Sequence, residues 1–266
     1  MKAMVFCVME KRKGADMQTA YIDIHCHILP QVDDGADSPE TSLKMLELSE
    51  QQGAEAVILT PHYYHGRNRY QKGELAKRAA KLSEAAEKAG RKLRLCLGNE
   101  ILWFDDAVEA VKSGDALSLA GSRYMLIEFY PQSSAQEIER AVRKVVLGGY
   151  FPVIAHYERY QAFRGEEGAR RVENIIEQGA LLQMNYSSLA GKGALAAILP
   201  DSNTVWCREE VRKGHVSFFG TDAHNLSSRT PLQPKAMSWL TKHLDEEMIS
   251  ELLYSNPEAV LADEEL

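Results

Sequence analysis

Histidine and carboxylate side chains recur along this sequence directly after short apolar segments. Five of its eight histidines do so, in the segments Asp23-Ile24-His25-Cys26-His27, Thr60-Pro61-His62, His156-Tyr157-Glu158-Arg159 and Thr221-Asp222-Ala223-His224. Carboxylates follow the same rule in Asp33-Asp34-Gly35, in Gly98-Asn99-Glu100 and in Leu126-Ile127-Glu128-Phe129. Imidazole and carboxylate ligands without a thiolate suit Mn²⁺, Fe²⁺ or Zn²⁺ better than a soft metal. The residue types therefore predict a site for divalent metals.

The spacing within these segments matters as much as the residue types. His25 and His27 are two positions apart, so on a strand both side chains face the same side, and Asp222 and His224 repeat this arrangement. Each pair alone could be an ordinary polar strand end, and Thr-Pro-His could be a simple turn. Glu128 is harder to explain in that way, because an unpaired charge among apolar neighbours costs several kcal/mol. Taken together, the segments favour metal binding, with Cys26 facing away from the ligands.

Two arginines lie close to these ligands in the sequence. Arg159 comes three residues after His156, and Arg229 comes five residues after His224. Surface salt bridges are the common role of arginine, but a guanidinium group also forks onto phosphate oxygens. Their position in two ligand-bearing loops favours contact with a phosphate group; Arg67 and Arg69 are weaker candidates.

The apolar segments supply the elements that must position these side chains. Seven of them are typical of strands covered on both faces, at 21–24, 56–59, 93–97, 124–129, 151–155, 180–184 and 216–220. Amphipathic stretches between them predict helices at 39–52, 72–89, 135–147 and 167–178, each followed by glycine. This alternating order predicts a parallel α/β fold, and seven units favour a barrel over an open sheet. In such a barrel the polar strand ends would share one rim.

Composition restricts the class of protein. The 266 residues carry a formal net charge of -7, with no basic stripe that would suggest nucleic acid as a partner. The four cysteines form no C-x-x-C pair, which favours a reducing cytoplasm over a disulfide framework. No apolar run is long enough for insertion into a membrane. We expect residues 1–19 to be a short N-terminal extension and residues 20–266 to form one domain.

These segments together resemble the PHP (polymerase and histidinol phosphatase) superfamily. The likeness is closer to the bacterial manganese-dependent protein-tyrosine phosphatases encoded with capsule and exopolysaccharide synthesis proteins. It covers the chain from about residue 20 to the C-terminus. The segments that carry it are those quoted above, together with Ile28-Leu29-Pro30, Ser217-Phe218-Phe219-Gly220 and Asn256-Pro257. The Tyr63-Tyr64-His65 stretch departs from the family pattern.

The resemblance implies a distorted (β/α)7 barrel of the TIM type and three divalent metal ions, with Mn²⁺ expected first and Fe, Zn, Co or Mg as other candidates. It implies that the first ion is held by His25, His27, Glu100 and Asp222. Glu100 would bridge to a second ion that is completed by Glu128 and His156. Asp34, His62 and His224 would hold the third. Arg159 and Arg229 match the arginines that contact phosphate.

The function implied is hydrolysis of phosphotyrosine, with the tyrosine-rich C-terminal tail of a membrane-associated polysaccharide-export kinase as client. A thiol phosphatase is excluded, because the positions six residues after the cysteines hold Lys13, Val32, Leu102 and Lys213 instead of arginine. Three alternatives stay open: a small-molecule phosphatase of the histidinol-phosphate type, a nuclease acting on DNA ends, and a metal-binding regulator of a kinase. The acidic charge disfavours the nuclease, and the complete ligand set disfavours the regulator.

Overall fold

The computed structural model describes residues 20–68, 70–191 and 201–266. The N-terminal extension expected at residues 1–19 lies outside these ranges, and so does Arg69, one of the weaker candidates for phosphate contact.

Every strand pairing in the described residues is parallel. The strands are β1 (Tyr21–Cys26), β2 (Ala54–Leu59), β3 (His62–Tyr63), β4 (Arg94–Leu97), β5 (Glu100–Leu102), β6 (Tyr124–Glu128), β7 (Phe151–Ile154), β8 (Leu181–Asn185) and β9 (Phe218–Gly220). One sheet has the order β1-β2-β4, and a second, curled sheet of six strands has the order β3-β5-β6-β7-β8-β9. The prediction of a parallel α/β fold is confirmed.

The described ranges contain nine strands where seven were predicted, because two short strands follow predicted ones. β3 begins after the second predicted strand, beyond Thr60-Pro61, and β5 begins after the third, beyond Gly98-Asn99. Proline lacks an N–H for a sheet ladder, which explains the gap between β2 and β3. Backbone hydrogen bonds still continue across both gaps, from Thr60 N to the Cys26 carbonyl and from Gly98 N to the Leu59 carbonyl, each at 2.9 Å. The two sheets are therefore joined where β2 leads into β3 and where β4 leads into β5.

The loops that follow β1 and β9 lie side by side. His27 N donates to the Ala223 carbonyl at 2.8 Å, and Asp222 N donates to the His25 carbonyl at 2.8 Å. Cys26 and Ala223 form an isolated parallel bridge. These bonds place the first and last ligand-bearing segments of the sequence next to each other.

Helices connect the strands and cover them. They are α1 (Pro39–Gln51), α2 (Glu74–Lys88), α3 (Ala107–Ser113), α4 (Ala135–Leu147), α5 (Gly168–Glu177), α6 (Ser187–Ala190), α7 (Ser202–Arg212), α8 (Pro234–His243), α9 (Glu246–Ser250) and α10 (Asn256–Ala262). The four predicted helices correspond to α1, α2, α4 and α5. Ser38 caps α1, because its hydroxyl accepts from Thr41 N at 3.2 Å. In the described part of the chain, no helix is long and apolar enough to cross a membrane.

Two apolar clusters hold the strands in place. The smaller one joins side chains of several strands to the last helix, with Ile24, Leu126 and Val153 among the strand members and Val260 from α10. The larger one packs the strands against the surrounding helices. Burial on both faces agrees with the near-continuous apolar runs of the sequence. It also makes a rigid platform for the polar residues at the strand ends.

Candidate metal centre

The carboxyl ends of the strands bring all nine predicted ligands together. His25 and His27 come from the end of β1, His62 from β3, Glu100 from β5, Glu128 from β6, His156 from the end of β7, Asp222 and His224 from the segment after β9, and Asp34 from the loop after β1. All of them except His156 and Asp222 belong to three overlapping groups whose ligand atoms lie within 4.8 Å of one another: His27, Asp34, His62 and His224; His25, His27 and Glu100; and His62, Glu100 and Glu128. The ion that each residue would bind remains a prediction.

The innermost group surrounds one carboxylate oxygen. Oε2 of Glu100 lies 3.3 Å from Nε2 of His25 and 3.2 Å from Nε2 of His27. The same two nitrogen atoms are 3.3 Å from each other, and Oδ1 of Asp222 lies 3.8 and 3.6 Å from them. All four side chains are buried. These are the four residues expected at the first ion.

Glu100 links this group to its neighbours. Its other oxygen, Oε1, is 2.7 Å from Nε2 of His156, which in turn lies 3.6 Å from Oε1 of Glu128. Nδ1 of His62 lies 2.9 Å from Oε2 of Glu100 and 3.7 Å from Oε2 of Glu128. Glu100 thus contacts ligands on both sides, as a bridging carboxylate would. His62 approaches this second group as well as the third group, to which the family resemblance assigned it.

The third group lies nearer to solvent. Oδ1 of Asp34 is 3.4 Å from Nε2 of His62 and 3.5 Å from Nε2 of His224. The side chain of Asp34 is 64% exposed, whereas His224 is buried. The centre is therefore open to solvent on the Asp34 side, where a substrate can enter.

Hydrogen bonds at the outer nitrogen atoms fix how three of the histidines are oriented. Nδ1 of His25 lies 2.9 Å from Oε1 of Gln183, and Nδ1 of His27 lies 2.8 Å from Oδ2 of Asp33. Nδ1 of His224 lies 2.9 Å from the Asp222 carbonyl oxygen. Since these partners only accept, each Nδ1 carries the proton. In the neutral imidazole this leaves a free lone pair on the inward Nε2, as a metal ligand requires.

Gln183 and Asn185 on β8 were missed by the sequence analysis. Oε1 of Gln183 also accepts from His156 N at 2.8 Å, and its amide nitrogen donates to Oδ1 of Asn185 at 2.9 Å. Asn185 then donates to Oδ2 of Asp222 at 2.8 Å. Both residues are buried. One chain of amide groups therefore orients ligands from three different strand ends.

The donor set fits divalent metal ions. Nδ1 of His62, Oε2 of Glu100 and Nε2 of His224 are buried, yet in the described structure none makes a hydrogen bond of suitable geometry, although the first two lie 2.9 Å apart. Buried polar atoms without partners are rare in folded proteins, and those that occur often coordinate an ion. The inward atoms are also of the types that Mn²⁺, Fe²⁺ and Zn²⁺ accept.

Charge coupling in the cluster is strong. Burial opposes the charged form of His25, but the adjacent carboxylates of Glu100 and Asp222 outweigh it and raise its pKa to about 9. Burial and the neighbouring charge of Glu100 raise the pKa of Glu128 to about 7. The surrounding histidines keep the pKa of Glu100 well below its usual value despite its burial. The carboxylates of the cluster therefore favour positive charge beside them, as on His25, which is consistent with the binding of metal cations.

The two predicted arginines meet at one carboxylate. Arg159 Nη2 lies 2.5 Å from Oδ2 of Asp222, and Arg229 Nη2 lies 2.5 Å from Oδ1. Their side chains are 42% and 37% exposed, so both guanidinium groups lie where the buried cluster meets solvent. An anion that approaches the cluster would therefore meet two cations that can fork onto its oxygens.

The backbone at two ligands adopts an unusual conformation. His156 has φ of 31° and Asp222 has φ of 50°, in the left-handed region that non-glycine residues rarely adopt. Gly220 lies close to the cluster, because a Cβ atom there would be 2.7 Å from Cβ of His25. Such strain and close packing cluster at functional sites, where the fold holds side chains in fixed positions.

The chain matches the model of a protein family described as capsular polysaccharide synthesis, CpsB/CapC, over residues 21–262. The chain belongs to the CpsB/CapC family. One relative is the tyrosine-protein phosphatase CpsB of Streptococcus pneumoniae, 31% identical over 243 residues that cover 91% of this chain and 99% of the relative. Another is the tyrosine-protein phosphatase YwqE of Bacillus subtilis, 30% identical over 91% of this chain and 92% of the relative.

Solved structures support the same assignment to the CpsB/CapC family. One comes from a study of YwqE from Bacillus subtilis and CpsB from Streptococcus pneumoniae, which describes them as unique metal-dependent tyrosine phosphatases. It matches this chain with a TM-score of 0.82 and 30% identity over 92% of this chain and 96% of that chain. A phosphotriesterase homology protein from Escherichia coli matches at TM-score 0.56 and 12% identity, covering 92% of this chain and 99% of that chain, which shows a similar fold only.

The thiol of Cys26 takes no part in the candidate site of this CpsB/CapC protein. Cys26 lies between two ligand histidines, but its thiol donates to the Ile58 carbonyl at 3.5 Å in the apolar core. Burial raises the pKa of this thiol well above its usual value, so it is protonated. The prediction that Cys26 faces away from the ligands is confirmed.

Proposed function

We propose that this protein is a metal-dependent protein-tyrosine phosphatase. The observation that carries the proposal is the convergence of five imidazoles and four carboxylates beside two partly exposed arginines. Metal ligands alone would suit many hydrolases, but the paired guanidinium groups at the mouth of the site suit a phosphate monoester. The names of the relatives CpsB and YwqE agree with this activity.

We assign the nine ligands to three divalent ions. His25, His27, Glu100 and Asp222 would hold the first, Glu100, Glu128 and His156 the second, and Asp34, His62 and His224 the third. The contacts of His27 and His62 with neighbouring groups support a compact, bridged arrangement. We propose Mn²⁺ first, with Fe, Zn, Co or Mg as other ions of suitable chemistry. When bound, such ions activate water for attack on phosphorus and neutralise phosphoryl charge.

The protein's own residues then bind and orient the substrate. Arg159 and Arg229 would fork onto the phosphoryl oxygens and stabilise the charge that they carry during in-line displacement. Gln183 and Asp33 hold two histidines in the tautomer that presents Nε2. The leaving phenolate of tyrosine has a pKa of about 10, so it needs less protonation than an alkyl alcohol would.

The proposed function extends to the fold around the site and to the client that the site receives. We propose that the strands form a distorted (β/α)7 barrel, supported by the hydrogen bonds between the ends of β1 and β9. The proposed client is the phosphorylated C-terminal tail of a membrane-associated polysaccharide-export kinase, since the site is open to solvent and the family is that of capsular polysaccharide synthesis. The cytoplasmic location and the single domain over residues 20–266 remain predictions.

The competing function is a small-molecule phosphatase of the histidinol-phosphate type, which would use the same ligands. Turnover of a phosphotyrosine peptide and of histidinol phosphate by the same Mn²⁺-loaded preparation separates the two. We expect kcat/KM to be higher for the peptide. A preference for histidinol phosphate would replace the proposed function by its competitor.

A further inference from the structure

Aromatic side chains line one end of the candidate metal centre. Tyr64 follows His62 at the end of β3, and its ring stacks on the His62 imidazole with centroids 4.9 Å apart and planes 21° apart. In the described part of the chain, Tyr64 has no second aromatic partner among the ring contacts. Its ring is partly exposed, whereas most of the ligands beneath it are buried. Tyr64 therefore covers the outer edge of the cluster on this side.

Neighbouring residues hold this tyrosine in place. Tyr63 and His65, on either side of it, both stack on Phe104, with centroids at 6.0 and 4.4 Å and interplanar angles of 27° and 19°. Because successive side chains of an extended chain alternate in direction, this anchoring directs Tyr64 to the side on which His62 lies. Phe104 itself belongs to the loop that follows β5.

The backbone of the same loop is also fixed. Tyr64 N donates to Oδ1 of Asn68 at 2.7 Å, and Arg67 N donates to the Tyr64 carbonyl at 2.8 Å. A side chain that is ordered before its ligand arrives loses little conformational entropy on binding. The Tyr64 ring is thus preorganised as a contact surface.

The aromatic residues and the arginines lie at different places around the centre. Tyr64 stacks on His62, whereas Arg159 and Arg229 both contact the carboxylate of Asp222. His62 and Asp222 belong to the same ligand cluster, which joins the two contact surfaces. A phosphate held by the arginines can therefore extend its organic group toward Tyr64.

We infer that Tyr64, held by the stacking of its two neighbours on Phe104, contacts the aromatic ring of the phosphoester and so selects aryl over alkyl phosphates. This inference rests on the proposed function, because it assigns a specificity residue to the same site. An aromatic pair adds a favourable interaction beyond burial of area, in offset or edge-to-face geometry. An alkyl phosphate would receive no such interaction.

Two phosphonates test this without any turnover. Benzylphosphonate carries a CH₂ group in place of the phenolic ester oxygen, and methylphosphonate carries the same anion without a ring. We would measure Kd of both by calorimetry on Mn²⁺-loaded protein, for the wild type and for Tyr64→Leu, Tyr64→Phe and Phe104→Leu, with the metal content of each. Tyr150→Leu is the matched control, since Tyr150 directly precedes β7, at the amino ends of the strands and away from the ligands at their carboxyl ends.

The expected result is selective. Tyr64→Leu should weaken benzylphosphonate binding about three- to tenfold and leave methylphosphonate within about twofold, as for loss of one aromatic pair. Tyr64→Phe and Tyr150→Leu should keep the wild-type ratio of the two Kd values, and Phe104→Leu should change it in the same direction as Tyr64→Leu. An unchanged ratio in Tyr64→Leu and Phe104→Leu, or equal weakening of both ligands, would overturn the inference. Failure of the wild type to hydrolyse a phosphotyrosine peptide would instead refute the proposed function.

Discussion

Gln183 accepts a hydrogen bond from the outer nitrogen of His25, with 2.9 Å between Oε1 and Nδ1. The same oxygen accepts from the backbone of His156 at 2.8 Å. One neutral side chain on β8 thus connects ligands that come from β1 and from the end of β7. The arrangement resembles the outer hydrogen bonds that fix the tautomer of metal-bound histidines in other proteins.

Gln183→Leu should therefore weaken metal binding without removing a ligand. Loss of such an outer partner typically lowers metal affinity about 10- to 100-fold, and we expect a loss in this range. A competition titration against a fluorescent chelator measures it. Gln136→Leu, an exposed substitution of the same type on α4, serves as the control and should bind metal normally. Equal affinities for the two variants would show that Gln183 does not act on the ligands.

Arg159→Ala should lower catalysis while leaving the metals in place. Removing one group that stabilises transition-state charge typically costs about 100- to 1,000-fold, and we expect kcat/KM for a phosphotyrosine peptide to fall by about 100-fold. Metal analysis of the same preparation should give wild-type content. Arg143→Ala, at an exposed site on α4, is the control and should be fully active. Activity of Arg159→Ala close to that of the wild type would remove Arg159 from the proposed mechanism.

The metal-free protein should lose stability as the pH rises. The pKa of His25 is raised to about 9, from an ordinary value of about 6.5 in the unfolded chain. A histidine whose pKa is raised in the folded state stabilises the fold fully at pH values below its pKa in the unfolded chain. This contribution disappears as the pH rises through the pKa of the folded state. We expect the free energy of unfolding to fall by on the order of 1–3 kcal/mol between about pH 6.5 and pH 9.

Urea denaturation of chelator-treated protein at several pH values measures this dependence. His25→Asn is the informative variant, because it removes one titrating imidazole and should make the curve shallower, while the raised pKa values of His27 and His62 keep part of the slope. The free energy of unfolding of metal-loaded protein should instead rise with pH, since ligands must lose their protons before they bind an ion. A metal-free wild type whose stability is constant from pH 6.5 to pH 9 would contradict the assigned coupling of His25 and Glu100.

The sequence allowed much of this centre to be predicted, and the reasons are physical. Charged and imidazole side chains at strand ends stand out against apolar runs, so the nine residues that converge at this centre and both arginines could be named. The positions of the strands followed from the same runs. The strands β3 and β5 were not predicted, because with two and three residues they are too short to show a pattern in the sequence.

Other parts of the site could not be predicted from the sequence. Gln183 and Asn185 are neutral amides in a strand that carries no charged residue, and their role depends on partners far away in the sequence. The left-handed backbone of Asp222 could not be predicted from the sequence either, because it results from hydrogen bonds such as that from its N–H to the His25 carbonyl. Long-range contacts of this kind require the folded structure.

The most direct test of the central claim is hydrolysis of a phosphotyrosine peptide by protein whose metal content is measured at each step. We expect a chelator to abolish turnover, added Mn²⁺ to restore it, and alkylation of the thiols to have no effect. Turnover that persists after the metals have been removed, or that is lost on alkylation alone, would show that this protein is not a metal-dependent phosphatase of the proposed kind.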